Sequence, residues 1–124
     1  MERILTKTSE IVESYFKAWK TYDAQLVKEI FSDTASYVIL PTKKVLRGTQ
    51  QIQSYWNRNS RRQENLALYW KTTNATDHFA FTSFTADFYD NEMQRKVRVQ
   101  GTISFLFEED KIVCLAEHYE KIVT

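Results

Sequence analysis

The hydrophobic period of this 124-residue chain changes once, near Leu66, from the spacing of helices to the alternation of strands. That switch predicts an α+β fold, with helices first and a run of antiparallel strands after them. Before it, Ile11, Val12, Tyr15, Phe16 and Trp19 recur at helical spacing and predict an amphipathic helix over 8–21. Asp23 is placed to cap a second, short helix whose inner stripe is Leu26, Val27, Ile30 and Phe31 and which ends at Ser32-Asp33. Residues 36–40 read as a short strand, stopped by the only proline, Pro41. A basic loop leads to a third helix capped by Thr49, with Ile52, Tyr55 and Trp56 on one face and 58–63 as a polar link.

Beyond the switch, alternation predicts strands near 66–75, 79–89, 95–108 and 111–123, joined by turns at Asn74 to Asp77, Asp90 to Met93 and Glu108-Glu109-Asp110 that are short enough for a meander. In 95–108 the period sends Val97, Val99, Gly101, Ile103, Phe105 and Phe107 inward. Gly101, one of two glycines, marks a bulge, a sharp bend or a close approach by another element. In 111–123 the same period groups Val113, Leu115, Glu117 and Tyr119, with Ile112, Cys114, Ala116 and His118 opposite. Phe79 and Phe81 are out of phase with Phe84, Ala86 and Phe88, which predicts a bulge near Thr82-Ser83 and leaves the face of Asp87 open.

The length suits one domain, over 1–124, with a core of its own. Aromatic residues make up 15% of the chain, so bulky rings supply much of that core. Seventeen Lys and Arg against sixteen Asp and Glu leave a charge of +1, too small a field to gather nucleic acid or an anionic membrane. The lone Cys114 forms no internal disulfide and reads as a small buried hydrophobe, and residues 1–9 lack the apolar stretch of a secretory leader. No run approaches a membrane span, so the expected place is the cytoplasm. Two histidines with no Cys/His cluster predict no metal site, and no cofactor is expected. Lys43, Lys44, Arg47, Arg58, Arg61 and Arg62 form either a basic rim for an anionic ligand or ordinary solvated loop charge.

The order of three helices, a short strand and four long strands resembles the nuclear transport factor 2-like superfamily, which includes ketosteroid isomerases and SnoaL-like polyketide cyclases. The resemblance is carried by Val12-Glu13-Ser14-Tyr15-Phe16, by Asp23 to Thr34 leading into Ala35-Ser36-Tyr37-Val38, by Leu46-Arg47-Gly48-Thr49, and by Ile103-Ser104-Phe105-Leu106-Phe107 before Lys111-Ile112-Val113. It implies a cystatin-like α+β cone, a curved antiparallel sheet wrapped around three helices, with a hydrophobic pocket open at one end and a homodimer formed through the sheet. It also implies that the isomerase base would fall at Ile39 or Leu40 and a second oxyanion donor near Ile103, where no proton can be moved. Ketosteroid isomerisation is thereby excluded.

Glu117 interrupts an apolar row. It reads either as a general acid or base with a raised pKa, or as a carboxylate reaching water at the cone mouth or pairing with an arginine. Tyr15 matches the superfamily's hydrogen-bond-donating helix 1 tyrosine, and its helical spacing is first of all that of a core aromatic. The expected catalytic pair is Glu117 and Tyr15. The expected pocket is lined by Tyr15, Trp19, Tyr37, Ile39, Tyr55, Trp56, Trp70, Val99, Ile103, Phe105, Glu117 and Tyr119. The expected function is binding of a small hydrophobic molecule, with cyclase or isomerase chemistry by proton transfer on a carbonyl compound; the alternative is a non-catalytic interaction module.

Overall fold

The computed structural model describes residues 7–124, so the leader expected to be absent from 1–9 falls largely outside the described residues. Helix α1 (Lys7–Thr21) buries Ile11, Val12, Tyr15, Phe16 and Trp19, the stripe that its period predicts. Helix α2 (Ala24–Ile30) is capped by Asp23, whose Oδ1 accepts the backbone N–H of Gln25 and Leu26 at 3.0 and 3.1 Å. It stops two residues earlier than its pattern suggests. Phe31 turns to an extended conformation, is 1% exposed and pairs with Ile112, so tertiary pairing overrides the apolar stripe.

Strand β1 (Phe31–Ile39) is therefore longer than expected, and the basic loop contains a strand of its own, β2 (Lys44–Arg47), paired antiparallel to β1. Helix α3 (Gly48–Arg62) runs on through the segment expected to be a polar link. Its N-cap is Arg47, not Thr49: no side chain caps it, and Gln51 Oε1 instead accepts the Arg47 backbone N–H at 2.8 Å. Four long strands follow, β3 (Gln63–Ala75), β4 (Phe79–Asp90), β5 (Arg95–Glu108) and β6 (Lys111–Val123).

The six strands form one open sheet in the order β2-β1-β6-β5-β4-β3. The meander β3 to β6 is antiparallel as expected, but β1 joins β6 in parallel, so the sheet is mixed at that seam. The three helices pack against its concave face, α1 against β3 and β4 and α3 against β1 and β2.

Strand β4 alternates strictly, with Ala80, Thr82, Phe84, Ala86, Phe88 and Asp90 inward, and its register with β5 is unbroken from Phe79 to Asp90. The bulge expected near Thr82-Ser83 is not in β4 itself; the register slips instead in β3, where Thr72 pairs with Thr82 and Asn74 with Phe81. Phe79 and Phe81 simply occupy the outer face, and Asp87 joins them there, bound to Arg98 at 2.7 Å. The Arg98 guanidinium holds the Asp87 carboxyl below its ordinary range.

Strand β5 follows its predicted faces, and Gly101 owes its place to a close approach: a Cβ there would lie 2.0 Å from the His118 carbonyl oxygen. A register shift beside Leu106 and Phe107 pushes Val113 out of line, so Ile112, not Val113, is buried with Leu115 and Glu117. Cys114 is half-buried on the outer face. Among the described residues no helix is long and apolar enough to cross a membrane.

Candidate functional site

Where the end of α3 leans over the sheet, the inner side chains fail to meet and leave a cavity of about 220 Å³. That is room for roughly seven waters and below the roughly 300–1,000 Å³ of most drug-sized pockets. Strand β1 contributes Tyr37 and Ile39, α1 contributes Trp19, and α3 contributes Tyr55, Trp56 and Asn59. Val99 from β5, Phe88 and Asp90 from β4, and Glu117 and Tyr119 from β6 complete the inner wall. Thr42, Lys44, Arg58, Arg62, Gln63 and Lys121 also line it, so the cavity is less apolar than expected.

Four expected pocket residues lie elsewhere. Tyr15, Ile103 and Phe105 are fully buried in the packed core, where Tyr15 makes edge contacts with Phe105 and Trp56 at 5.4 and 5.8 Å between ring centroids. Trp70 sits on the far edge strand. It stacks on Phe16 at 4.9 Å and donates to Glu13 at 2.7 Å. Rings thus fill the deep part of the cone, and the space beneath the end of α3 stays open.

Glu117 is 4% exposed, and burial raises its carboxyl to about 7, more than the hydrogen bond from Tyr37 lowers it. The Tyr37 hydroxyl donates to Glu117 Oε1 at 3.5 Å and lies 2.8 Å from the Tyr15 hydroxyl. Tyr15 therefore backs Tyr37 from the core rather than facing the cavity. Burial and the nearby Glu117 carboxylate push Tyr15, Tyr37, Tyr55 and Tyr119 upward in pKa, so these hydroxyls keep their protons. A carboxyl poised near neutrality among protonated phenols can take or give a proton, and a neighbouring phenol can donate to a developing oxyanion.

Trp19 and Trp56 both line the cavity, and their indole N–H groups differ in partner. Trp19 Nε1 donates to Gln63 Oε1 at 3.3 Å, an oxygen that also accepts from the Tyr22 hydroxyl at 2.6 Å. Trp56 is 2% exposed, and its Nε1 is buried with no partner among the described residues.

Asp90, expected only as a turn residue, anchors the cavity's other end. Its Oδ1 accepts the backbone N–H of Glu92 and Met93 at 2.9 and 3.0 Å, and its Oδ2 accepts from Arg62 Nε at 2.9 Å. Desolvation alone would raise Asp90, but these donors outweigh it and hold the carboxyl below its ordinary range. Of the basic rim weighed from the sequence, Lys44, Arg58 and Arg62 line the cavity, whereas Asn59 was legible only as the continuation of the α3 period past Arg58. Nothing local marked Lys121. Among the described residues no group of His, Cys, Asp and Glu is placed to hold a metal ion, and His118 faces outward.

The SnoaL-like domain profile matches residues 12–115 of the chain. No curated protein sequence matches it at a significant level. Among solved structures, the epoxide hydrolase/cyclase-like enzyme SalBIII, with a role in pyran ring formation in the polyether salinomycin, superposes with a TM-score of 0.81. The match has 18% identity over 95% of this chain and 96% of that one. An LEH-like epoxide hydrolase of M. tuberculosis gives 0.73 at 16% identity over 92% and 83% of the two chains. A SnoaL-like polyketide cyclase, so described, of Shewanella denitrificans gives 0.79 at 11% identity over 90% and 88%. At these identities the likeness is one of fold.

Proposed function

Because the chain belongs to the SnoaL-like domain family, we propose that its cavity binds a compact carbonyl compound and that Glu117 moves a proton to or from it, in an isomerisation or cyclisation. The observation that carries this reading is Glu117 itself, a buried carboxyl in a cavity wall, raised to about 7 by desolvation. Near neutral pH such a group is present in both protonation states, the condition under which general acid–base catalysis is most effective. Tyr37, which touches Glu117, is the hydrogen-bond donor nearest the transfer; Tyr15 positions Tyr37 from behind. Epoxide opening, named for two of the structural relatives, makes a similar demand on a site, a group that gives a proton to an oxygen.

The test is exchange of the hydrogens beside the carbonyl of small ketones in heavy water, followed by proton NMR. The wild type accelerates exchange, and Glu117→Gln loses about 10²- to 10⁴-fold of that acceleration. Equal exchange by the two proteins refutes the assignment.

The outer face of the sheet supports a homodimer as a second element of the proposal. Phe79, Leu106 and Cys114 form one cross-strand row there, and Phe81, Ser104, Ala116 and Val38 the next, with Leu106 47% exposed. Sedimentation analysis of the wild type and Leu106→Glu tests it: a dimer that the substitution dissociates supports this face, and a monomeric wild type rejects it.

A further inference from the structure

The cations around the cavity are not evenly matched by acids. Lys44, Arg58, Arg62 and Lys121 line it, against Asp90 and Glu117. Asp90 is taken up by Arg62, and among the described residues the only polar side-chain partner of Glu117 is Tyr37. Lys44, Arg58 and Lys121 have no ion-pair partner among the described residues. The chain as a whole carries only +1, so this gathering reflects placement, not a general excess of base.

The three cations come from β2, α3 and β6, brought to one opening by the parallel pairing of β1 with β6 and by the length of α3. The Arg58 charge reaches the Tyr55 hydroxyl and the Arg62 charge that of Tyr119, both in the cavity wall. Like charges around a concave opening repel one another and focus their field on whatever enters. An anion relieves that repulsion.

Resting on the cavity as the ligand site, we propose that its ligand is a compact oxyanion, its charged group held at the mouth by Arg58, Lys44 and Lys121 and its short carbon body against the rings of Tyr55 and Trp56. A guanidinium pairs with carboxylate and phosphate alike, so the shared chemistry is that of an oxyanion on a short carbon body. The cavity volume excludes a nucleotide or a multi-ring skeleton from full enclosure.

Four probes separate the charge from the ketone in calorimetric titrations. Levulinate carries both a ketone and a carboxylate, methyl propyl ketone only the ketone, valerate only the carboxylate, and dihydroxyacetone phosphate a ketone with a phosphate. At low salt, levulinate or dihydroxyacetone phosphate binds at least about tenfold more tightly than methyl propyl ketone, and the tighter of the two identifies the oxyanion. The preference shrinks at high salt and in Arg58→Gln combined with Lys121→Gln, exposed positions where folding is not at stake.

Equal affinity for methyl propyl ketone and both anions overturns the inference while leaving the Glu117 reading intact. A preference for the anions with no Glu117-dependent exchange upholds the inference and removes that reading. A preference untouched by salt and by the charge substitutions overturns the assignment to the mouth, and no binding of any probe at millimolar concentration overturns the inference outright.

Discussion

The Tyr37 hydroxyl lies 3.5 Å from Glu117 Oε1, reaching across parallel strands in which Tyr37 stands level with Leu115, and Ile39 with Glu117. It is the one side-chain hydrogen bond that opposes the effect of burial on Glu117.

Tyr37→Phe therefore raises the Glu117 carboxyl further above about 7, because desolvation remains and the donor that lowers it is gone. The inflection of the pH–rate profile for hydrogen exchange moves upward in this variant. A downward or absent movement would show that Tyr37 does not hydrogen-bond the carboxylate.

Glu117 also ties stability to pH. Its folded value of about 7 exceeds the ordinary 4.5, so the folded state holds this proton more tightly than the unfolded one. The contribution is fully present below 4.5, diminishes as pH rises, and is gone above about 7, a loss of about 3 kcal/mol in all. Urea unfolding of the wild type and Glu117→Gln across this window checks it: the variant has the flatter pH dependence, and parallel curves would place the titration elsewhere.

Gly101→Ala forces a Cβ to within 2.0 Å of the His118 carbonyl oxygen and 2.6 Å of the Tyr119 Cα, both backbone atoms in a paired strand. The expected loss is about 3 kcal/mol or more, since neither neighbour can rotate away. The urea midpoint reads it, and a loss below about 1 kcal/mol would mean that β6 shifts freely.

Asp90→Asn keeps an acceptor for the Glu92 and Met93 N–H groups but removes the charge that holds Arg62. The expected loss at neutral pH is about 1–3 kcal/mol, because the Asp90 side chain is only 2% exposed. The folded carboxyl sits below its ordinary value, so its contribution is present above that value and is lost as pH falls through the folded one. The gap between wild type and variant closes in acid. A gap that persists there would assign the loss to packing rather than to the charge.

Much of the fold was legible because it follows from local periodicity. The α1 stripe, the Asp23 cap, and the faces of β5 are set by which neighbours lie one turn or two residues apart. The errors fall where a distant segment decides. Phe31 leaves its helix because Ile112 is there to pair with it, and Phe79 and Phe81 mimic a bulge because an outer sheet face can carry rings too. For the candidate site, Glu117 was visible as a carboxylate in an apolar row, whereas Asp90 looked like any turn residue until Arg62 was seen beside it.

By itself, then, the sequence determined the elements and the faces they bury, since those depend on the spacing of apolar side chains along one segment. Only the tertiary structure decided which rings fill the core and which border a cavity. Tyr15 and Trp56 are both aromatic residues on helical apolar stripes and both buried, yet only Trp56 also borders the cavity, because strand order brings β1, β5 and β6 beneath α3. The gathering of Lys44, Arg58 and Lys121 at one mouth has the same origin: residues far apart in the chain acquire a common field only when strand order brings them together.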